Sequence, residues 1–468
     1  VTFKAINVTG LSDDENALAN LLLDQLDKRS SRNILRASYY DGKRAVRQIS
    51  AVVPPQYRQL GLILGWSAKA VDALARRCVI DGFEWADGSL DLLGMDGFAE
   101  DNMLLSELAT ARGKSLIHGV SFLVNTTGME GEPKSLLHTK DALNATGEWN
   151  SRTRRMDNLL SITSRRDDQA TSFVLYLDGL TIQVEKGDAG WQVIDRQDHS
   201  WGVPVEPLIY RPQGREFGYS RISRPIMGLQ DAAVRALIRM EGHMDIYSYP
   251  ELLLLGADGS VFKDENGNTL PAWQAMMGRI KGIPDDKDAP SDALARADVR
   301  QFAASSPEPH LKQLNALAKL FAREASLPDS ATAIADMANP TSAESYDSSQ
   351  YELIAEAEGA VDDLTRPIAR AVRRGLAIRN GEAVQPKSWA SIAPKWRNPR
   401  YVSKAAQADA GAKQLAAMPW LAETEVGLEL LGLTSDQARR ALAERRRSAG
   451  RAVLAALAGV AQADVAGS

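Results

Sequence analysis

Apolar side chains recur at spacings of three and four along "SDDENALANLLLDQLDKRSSRNILRASYY", which predicts a long amphipathic helix near the start of the chain. Leu18, Leu21, Leu22 and Leu26 form one stripe, and Ile34 and Leu35 extend it after a polar interruption. Ser12 or Asp13 can cap it, Asp13, Asp14 and Glu15 suit its positive end, and Asp41-Gly42 stops it. A second helix, over about 66–78, carries Val71, Leu74 and Ala75 on one side and runs into the strand-like "VIDGFEW". A third, roughly 100–117, runs into "GVSFLVN". Helix followed by strand, twice over, predicts an α+β domain. From 170 to 212 the pattern turns to short β-branched and aromatic runs, "TSFVLYL", "TIQVEK", "WQVIDRQ" and "PVEPLIY". The stretch 126–168 is polar and poorly periodic, and is expected to be an exposed, mobile surface element.

Beyond 220 the periods lengthen. "SRPIMGLQDAAVRALIRMEGHMDIYSY" has Pro225 near a helix start and a stripe of Ile226, Leu229, Ala233, Leu237, Met240 and Met244. About twenty such residues make a rod of roughly 30 Å. "PELLLLGADGS" follows as a buried strand, then "FKDENGNTL" with Asn266-Gly267 as a hairpin signal, then an acidic connector. A second rod, "HLKQLNALAKLFAREASLP", shows Leu311, Leu314, Leu317 and Phe321 on one face. The longest helix, within "YDSSQYELIAEAEGAVDDLTRPIARAVRRG", has acids Asp347, Glu352, Glu356, Glu358, Asp362 and Asp363 first and Arg366, Arg370, Arg373 and Arg374 last, a gradient that complements the helix dipole. Pro367 is expected to kink or interrupt it. The tail from about 403 is alanine-rich and helical, with Thr434 and Gln437 at capping-box spacing.

Chemistry adds little. The formal net charge of −5 argues against a sequence-specific DNA binder. One cysteine, Cys78, excludes an intrachain disulfide and a cysteine-based metal cluster. The opening residues lack the layout of a signal peptide, and the longest apolar runs fall short of the roughly 20 residues of a membrane span, so a soluble, non-secreted protein is expected. His118, His138, His199, His243 and His310 never fall at metal-ligand spacing. Gly113-Lys114-Ser115 is only a fragment of a phosphate loop, because Leu108 stands where the pattern needs glycine. "DENGN" fails as a calcium loop at Thr269 and Ala275. The acid pairs Asp362-Asp363 and Asp285-Asp286 read as solvated surface. No catalytic, cofactor or metal residue can be named.

The order of parts carries more information than any motif. "AVDALARRCVIDGFEW", "PVEPLIYRPQGREFGYSRISRPIMGLQDAAVRALI", "AREASLPDSATAIADMANPTSAESY" and "YVSKAAQADAGAKQL" resemble stretches of bacteriophage portal proteins of the actinobacteriophage type, in the same order. The resemblance implies a mostly helical α+β portal fold with wing, stem, clip and crown regions. On it, 1–221 is the wing, 222–247 the first stem helix, 248–307 the clip, 308–327 the second stem helix and 328–345 the tunnel loop. Residues 346–400 are a long kinked helix returning to the wing, and 401–468 a helical crown. It implies a closed ring, usually of about twelve subunits, at one capsid vertex of the virion, assembled in the host cytoplasm. DNA passes through non-specifically; the terminase large subunit, a head-tail adaptor, and the major capsid and scaffolding proteins are the implied partners, with no membrane and no enzymatic activity. Ile226, Leu229, Leu237, Met240, Leu314, Leu317 and Phe321 then belong to the stem and its oligomer interface, and Pro367 to the kink.

The loop "ADMANPTSAESY" gains a role from the same resemblance. Asp336, Asn339, Pro340, Thr341, Ser342 and Glu344 would face the channel. A basic loop, repeated around a ring, would hold phosphates tightly, whereas small polar residues with two acids give close, weak contact. Read without the family, the loop is a surface connector. Two other readings stand beside the portal: a minor head or collar protein without a channel, and a soluble enzyme whose site is assembled from dispersed acids.

Overall fold

A computed structural model of the chain describes residues 5–43, 61–167, 169–247, 252–255, 290, 298–301, 306–328, 331–332, 349–400, 403–434 and 437–451. The chain divides into two compact units, Val1–Pro399 and Arg400–Ser468.

The first unit opens with β1 (Val8–Thr9) and α1 (Asp13–Tyr40). The helix starts on a capping box: Ser12 Oγ accepts from the Glu15 N–H at 3.3 Å, and the Glu15 carboxylate accepts from the Ser12 N–H at 2.8 Å. Its buried face holds Leu22 and Leu26 of the expected stripe together with Ala19 and Leu23. Leu21 and Ile34 are 45% and 54% exposed, because the turn that aims Leu22 and Leu26 into the sheet below points them outward.

Then come α2 (Trp66–Ala75), β2 (Ile80–Trp85), α3 (Met95–Asp101), α4 (Leu104–His118) and β3 (Val120–Thr127). The expected third helix is thus broken in two. Met103 sits between the pieces with a left-handed φ of 44°. The break frees Asn102, whose Nδ2 donates to Ser135 O at 3.1 Å and whose Oδ1 accepts from Leu137 N–H at 2.7 Å, tying the helices to the next strand.

The stretch 126–168 is not the exposed, mobile element that its polarity suggested. It holds β4 (Ser135–Asp141), β5 (Ala145–Thr146), β6 (Trp149–Asn150), β7 (Arg155–Met156) and β8 (Leu159–Arg166), with Leu137, Leu159, Leu160 and Ile162 buried. The first half of β8, Leu159–Ile162, is buried on both faces, and such a stretch does not alternate. Next are β9 (Gln169–Leu177), β10 (Leu180–Gly187), β11 (Gly190–Asp198) and β12 (Val205–Ile209). A six-stranded sheet runs β1-β11-β10-β9-β8-β5, with β1 parallel to β11 and paired only at Val8–Trp191 and Thr9–Gln192. A smaller sheet runs β12-β3-β4. One face of the large sheet packs on α1 through Phe173, Leu175, Ile182 and Val184, while Val174 and Tyr176 pack against Phe122, Val124 and Val205 of the small sheet.

The rods follow: α5 (Arg224–Tyr247), a β-ribbon of β13 (Leu252–Leu255) and β14 (Asp298–Gln301), and α6 (Glu308–Glu324). Ile226 near the start of α5 shares a core with Phe321 and Ala322 near the end of α6, and the His243 and His310 rings meet at 5.1 Å near the opposite ends. The rods are therefore antiparallel. The Asn266-Gly267 hairpin signal lies outside the described residues.

The last long element is α7 (Tyr351–Asn380), followed by β15 (Ile392–Trp396), which pairs with β2. Pro367 does not interrupt α7, which runs unbroken past it. Leu364, Ile368, Val372 and Leu376 on its inner face are buried in one core with Phe98, Leu108 and Leu208, and that packing carries the helix through the proline. In the second unit, α8 (Lys404–Ala417) and α9 (Glu425–Leu430) precede a helix over 437–451. Its predicted capping box is present, with Thr434 Oγ1 accepting from Gln437 N–H at 3.3 Å and Gln437 Oε1 from Thr434 N–H at 3.1 Å.

Candidate functional site

Three elements converge where α5 begins, α6 ends and α7 begins. Ile222, Ile226, Phe321, Ala325, Leu327, Leu353, Ala357 and Ala360 pack there with Val71 and Leu74 of α2. Arg221 is buried at the centre. Its Nε donates to Ala70 O at 2.5 Å, its Nη2 to Ala325 O at 2.5 Å, and its Nη1 pairs with the carboxylate of Glu356. The Tyr210 hydroxyl donates to that same carboxylate, and Ser326, held at a left-handed φ of 49°, hydrogen-bonds to it. Burial alone would raise the Glu356 pKa, but Arg221, Tyr210 and Ser326 together outweigh it and hold the carboxyl below its ordinary value.

The segment 333–348, which contains the candidate loop, leaves and re-enters at this junction. On the departing side Thr332 Oγ1 donates to Ala318 O of α6 at 3.0 Å, and Ala331 packs on the core. On the returning side buried Gln350 accepts from Arg77 Nη2, while Arg77 Nη1 donates to Pro399 O at 2.6 Å. The residues flanking the segment on both sides are thus held at the same junction.

Further along α7, Glu206 of β12 is 1% exposed and is gripped by two arginines, Arg370 Nε at 2.6 Å and Arg374 Nη2 at 2.5 Å. Asn125 of β3 completes the cluster: its Nδ2 donates to Ala371 O at 3.1 Å and its Oδ1 accepts from Arg374 at 3.3 Å. The basic end of α7 therefore serves the sheet it packs on as well as the helix dipole. Glu356 and Asp363 are likewise engaged inside the chain, the latter accepting from the Arg211 N–H at 3.2 Å.

Of the residues singled out from sequence, Asp336, Asn339, Pro340, Thr341, Ser342 and Glu344 lie outside the described residues. Ile226 and Phe321 are fully buried in the chain's own core, and Leu314 is buried as well. Leu229, Leu237, Met240 and Leu317 are half-buried, and Met244 and Leu320 are exposed. Sequence reasoning missed Arg221, Tyr210, Arg77, Gln350 and Glu206. It named Glu356 only as one acid among many, although its position between Leu353 and Ala360 places it on the apolar stripe, which was a usable signal. Cys78 is buried, its thiol faces Ala357 O at 3.7 Å, and burial pushes its pKa up to about 11. No group of His, Cys, Asp and Glu among the described residues could hold a metal ion.

A family model described as "Phage portal protein, SPP1 Gp6-like" matches residues 20–451, and the chain belongs to that phage portal protein family. It is 24% identical over 420 residues to the portal protein of Mycobacterium phage L5, covering 86% of this chain and 82% of that one. It is 24% identical over 387 residues to the portal protein of Mycobacterium phage D29, covering 80% and 77%. A subunit from the neck of an empty GTA particle is 15% identical, covers 79% of this chain and 90% of its own, and superposes with a TM-score of 0.43. No described helix is long and apolar enough to cross a membrane.

Proposed function

We propose that this chain is the repeating subunit of a ring-shaped channel at one vertex of a phage capsid, through which DNA enters during packaging and leaves during ejection. The observation that carries the reading is the pair of antiparallel rods α5 and α6. Their bases are locked into the subunit core, while Leu229, Leu237, Met240, Leu317 and Leu320 remain partly or fully uncovered along their lengths. A closed ring needs a heterologous interface of that kind, repeated until the rotation closes. The rods are the stem, the insert between them is the clip that meets tail connector and packaging motor, and the second unit is the crown. Because Ile226 and Phe321 are taken up by the subunit's own core, the interface contribution of the stripe falls to its less buried members.

The stretch 328–345 is the channel-facing loop. Its fixed ends suit a loop that must withstand a moving polymer, and its composition suits weak contact with phosphates. The subunit performs no chemistry; force comes from a separate terminase, and adaptor, capsid and scaffolding proteins are its other neighbours. The test of the ring is native mass spectrometry with negative-stain imaging of the purified protein. Rings with a central hole are expected, and a compact dimer without one overturns the reading. The test of the loop is the Asp336→Lys and Glu344→Lys pair, expected to slow packaging; unchanged packaging and DNA retention would sink the weak-contact role.

A further inference from the structure

A groove between α1 and β3 belongs to none of the networks above. Arg29, Arg32 and Arg36 stand at spacings of three and four on α1 and face Arg215 from the loop after β12. Together with Asn33 and His118 they line a cavity of about 220 Å³. Glu216 is the one acid in its wall, so four guanidinium groups meet one carboxylate. Asp141 and Asp41 approach His118 from outside the wall, as does Lys114.

The cationic groups are held in place. Arg29 Nη1 donates to Thr146 Oγ1 at 3.0 Å and its guanidinium lies 4.6 Å from the centre of the Phe217 ring. Arg36 Nη1 donates to His118 O at 2.7 Å, and Asn33 Nδ2 to Ala142 O at 2.8 Å. Yet Arg36 Nε, Asn33 Oδ1 and both ring nitrogens of His118 are buried without a hydrogen-bond partner in the chain, and the whole His118 residue is 4% exposed. Burial, then repulsion from Arg32 and Arg215, brings the Arg36 pKa down to about 10, so it still carries its charge near neutral pH. Such clustered, partly desolvated charge is costly without a counter-charge.

We infer that this groove is a binding site for a single phosphate-type oxyanion. Planar guanidinium forks match the oxygens of a tetrahedral anion, and several of them converging on one point offset the mutual repulsion once the anion is bound. The volume equals that of roughly seven waters at about 30 Å³ each, enough for one oxyanion with a few waters. It is too small for a stretch of duplex.

The test is equilibrium dialysis of the full chain with labelled inorganic phosphate, in chloride buffer at constant ionic strength. Saturable binding at about one site per chain is expected. Arg32 and Arg215 are both exposed, so the double variant Arg32→Gln/Arg215→Gln should fold with a melting temperature in chloride no lower than wild type and bind roughly tenfold more weakly or worse. Arg32→Lys should restore part of the loss. Competition by a 5′-deoxynucleoside monophosphate at equal affinity would assign the site to a phosphate ester; failure to compete would assign it to free phosphate. No saturable binding, or unchanged affinity in the double variant, overturns the inference. So does a short DNA duplex that competes as well per phosphate as inorganic phosphate, which would mean a diffuse basic surface.

Discussion

Arg221, just ahead of the first rod and buried, and Glu356, half-buried in the second turn of the long helix, form an ion pair at the junction between α5, α6 and α7. The pair joins parts of the chain 135 positions apart, and the Tyr210 hydroxyl closes it from a third direction.

Glu356→Gln removes the charge opposite a buried guanidinium and should cost about 3–5 kcal/mol. The pH dependence has a definite sign. The folded carboxyl titrates below its ordinary value of 4.5, so the pair's contribution is complete above that pH and is lost as pH falls through the lower folded value. Calorimetric melting over a descending pH series should show this loss in the wild type and not in the variant. Identical acid limbs in both proteins would refute it.

Arg77→Ala should loosen the returning end of segment 333–348 by releasing Gln350. Chymotryptic cleavage at Tyr346 should speed up severalfold while the melting temperature moves little. A cleavage rate equal to wild type would mean that Gln350 is held by packing alone.

Gly375 of α7 faces the Phe98 ring of α3, and an added β-carbon would overlap Phe98 Cζ. Gly375→Ala should therefore destabilise by roughly 1–3 kcal/mol through overpacking. Phe98→Leu in the same chain should recover part of that cost, and a double-mutant cycle with no coupling would disprove the contact's role.

His118 is buried without a hydrogen-bond partner in the chain for its ring, and desolvation brings its pKa from 6.5 down to about 4. The unfolded chain therefore takes up a proton first as pH falls. Stability should be complete above about 6.5 and decline through about 4, by a few kcal/mol at most. His118→Asn should flatten that window in urea unfolding; a slope equal to wild type would assign the decline to other groups.

The elements most legible in the sequence were those with long periods. Both rods and the inner face of α7 were readable because each apolar pattern repeats over several turns. The strands within 126–168 were not, since three are only two residues long and the first half of β8 is buried on both faces. The break at Met103 was hidden as well, because what stabilises it, Asn102 bonding to Ser135 and Leu137, lies more than thirty residues downstream. The charge networks were illegible for the same reason. Tyr210 and Glu356 are 146 residues apart and Glu206 and Arg374 are 168, distances over which local spacing carries no information.

The six-stranded sheet ends on β1, which covers β11 only at Trp191 and Gln192. From Val193 onward that edge of β11 has no neighbouring strand among the described residues, and it displays Asp195, Arg196 and Asp198. An open edge studded with charge resists the addition of a foreign strand. Copies of the chain held at high local concentration would therefore not zip together sheet to sheet along this edge, which keeps it off the route to fibrous aggregates.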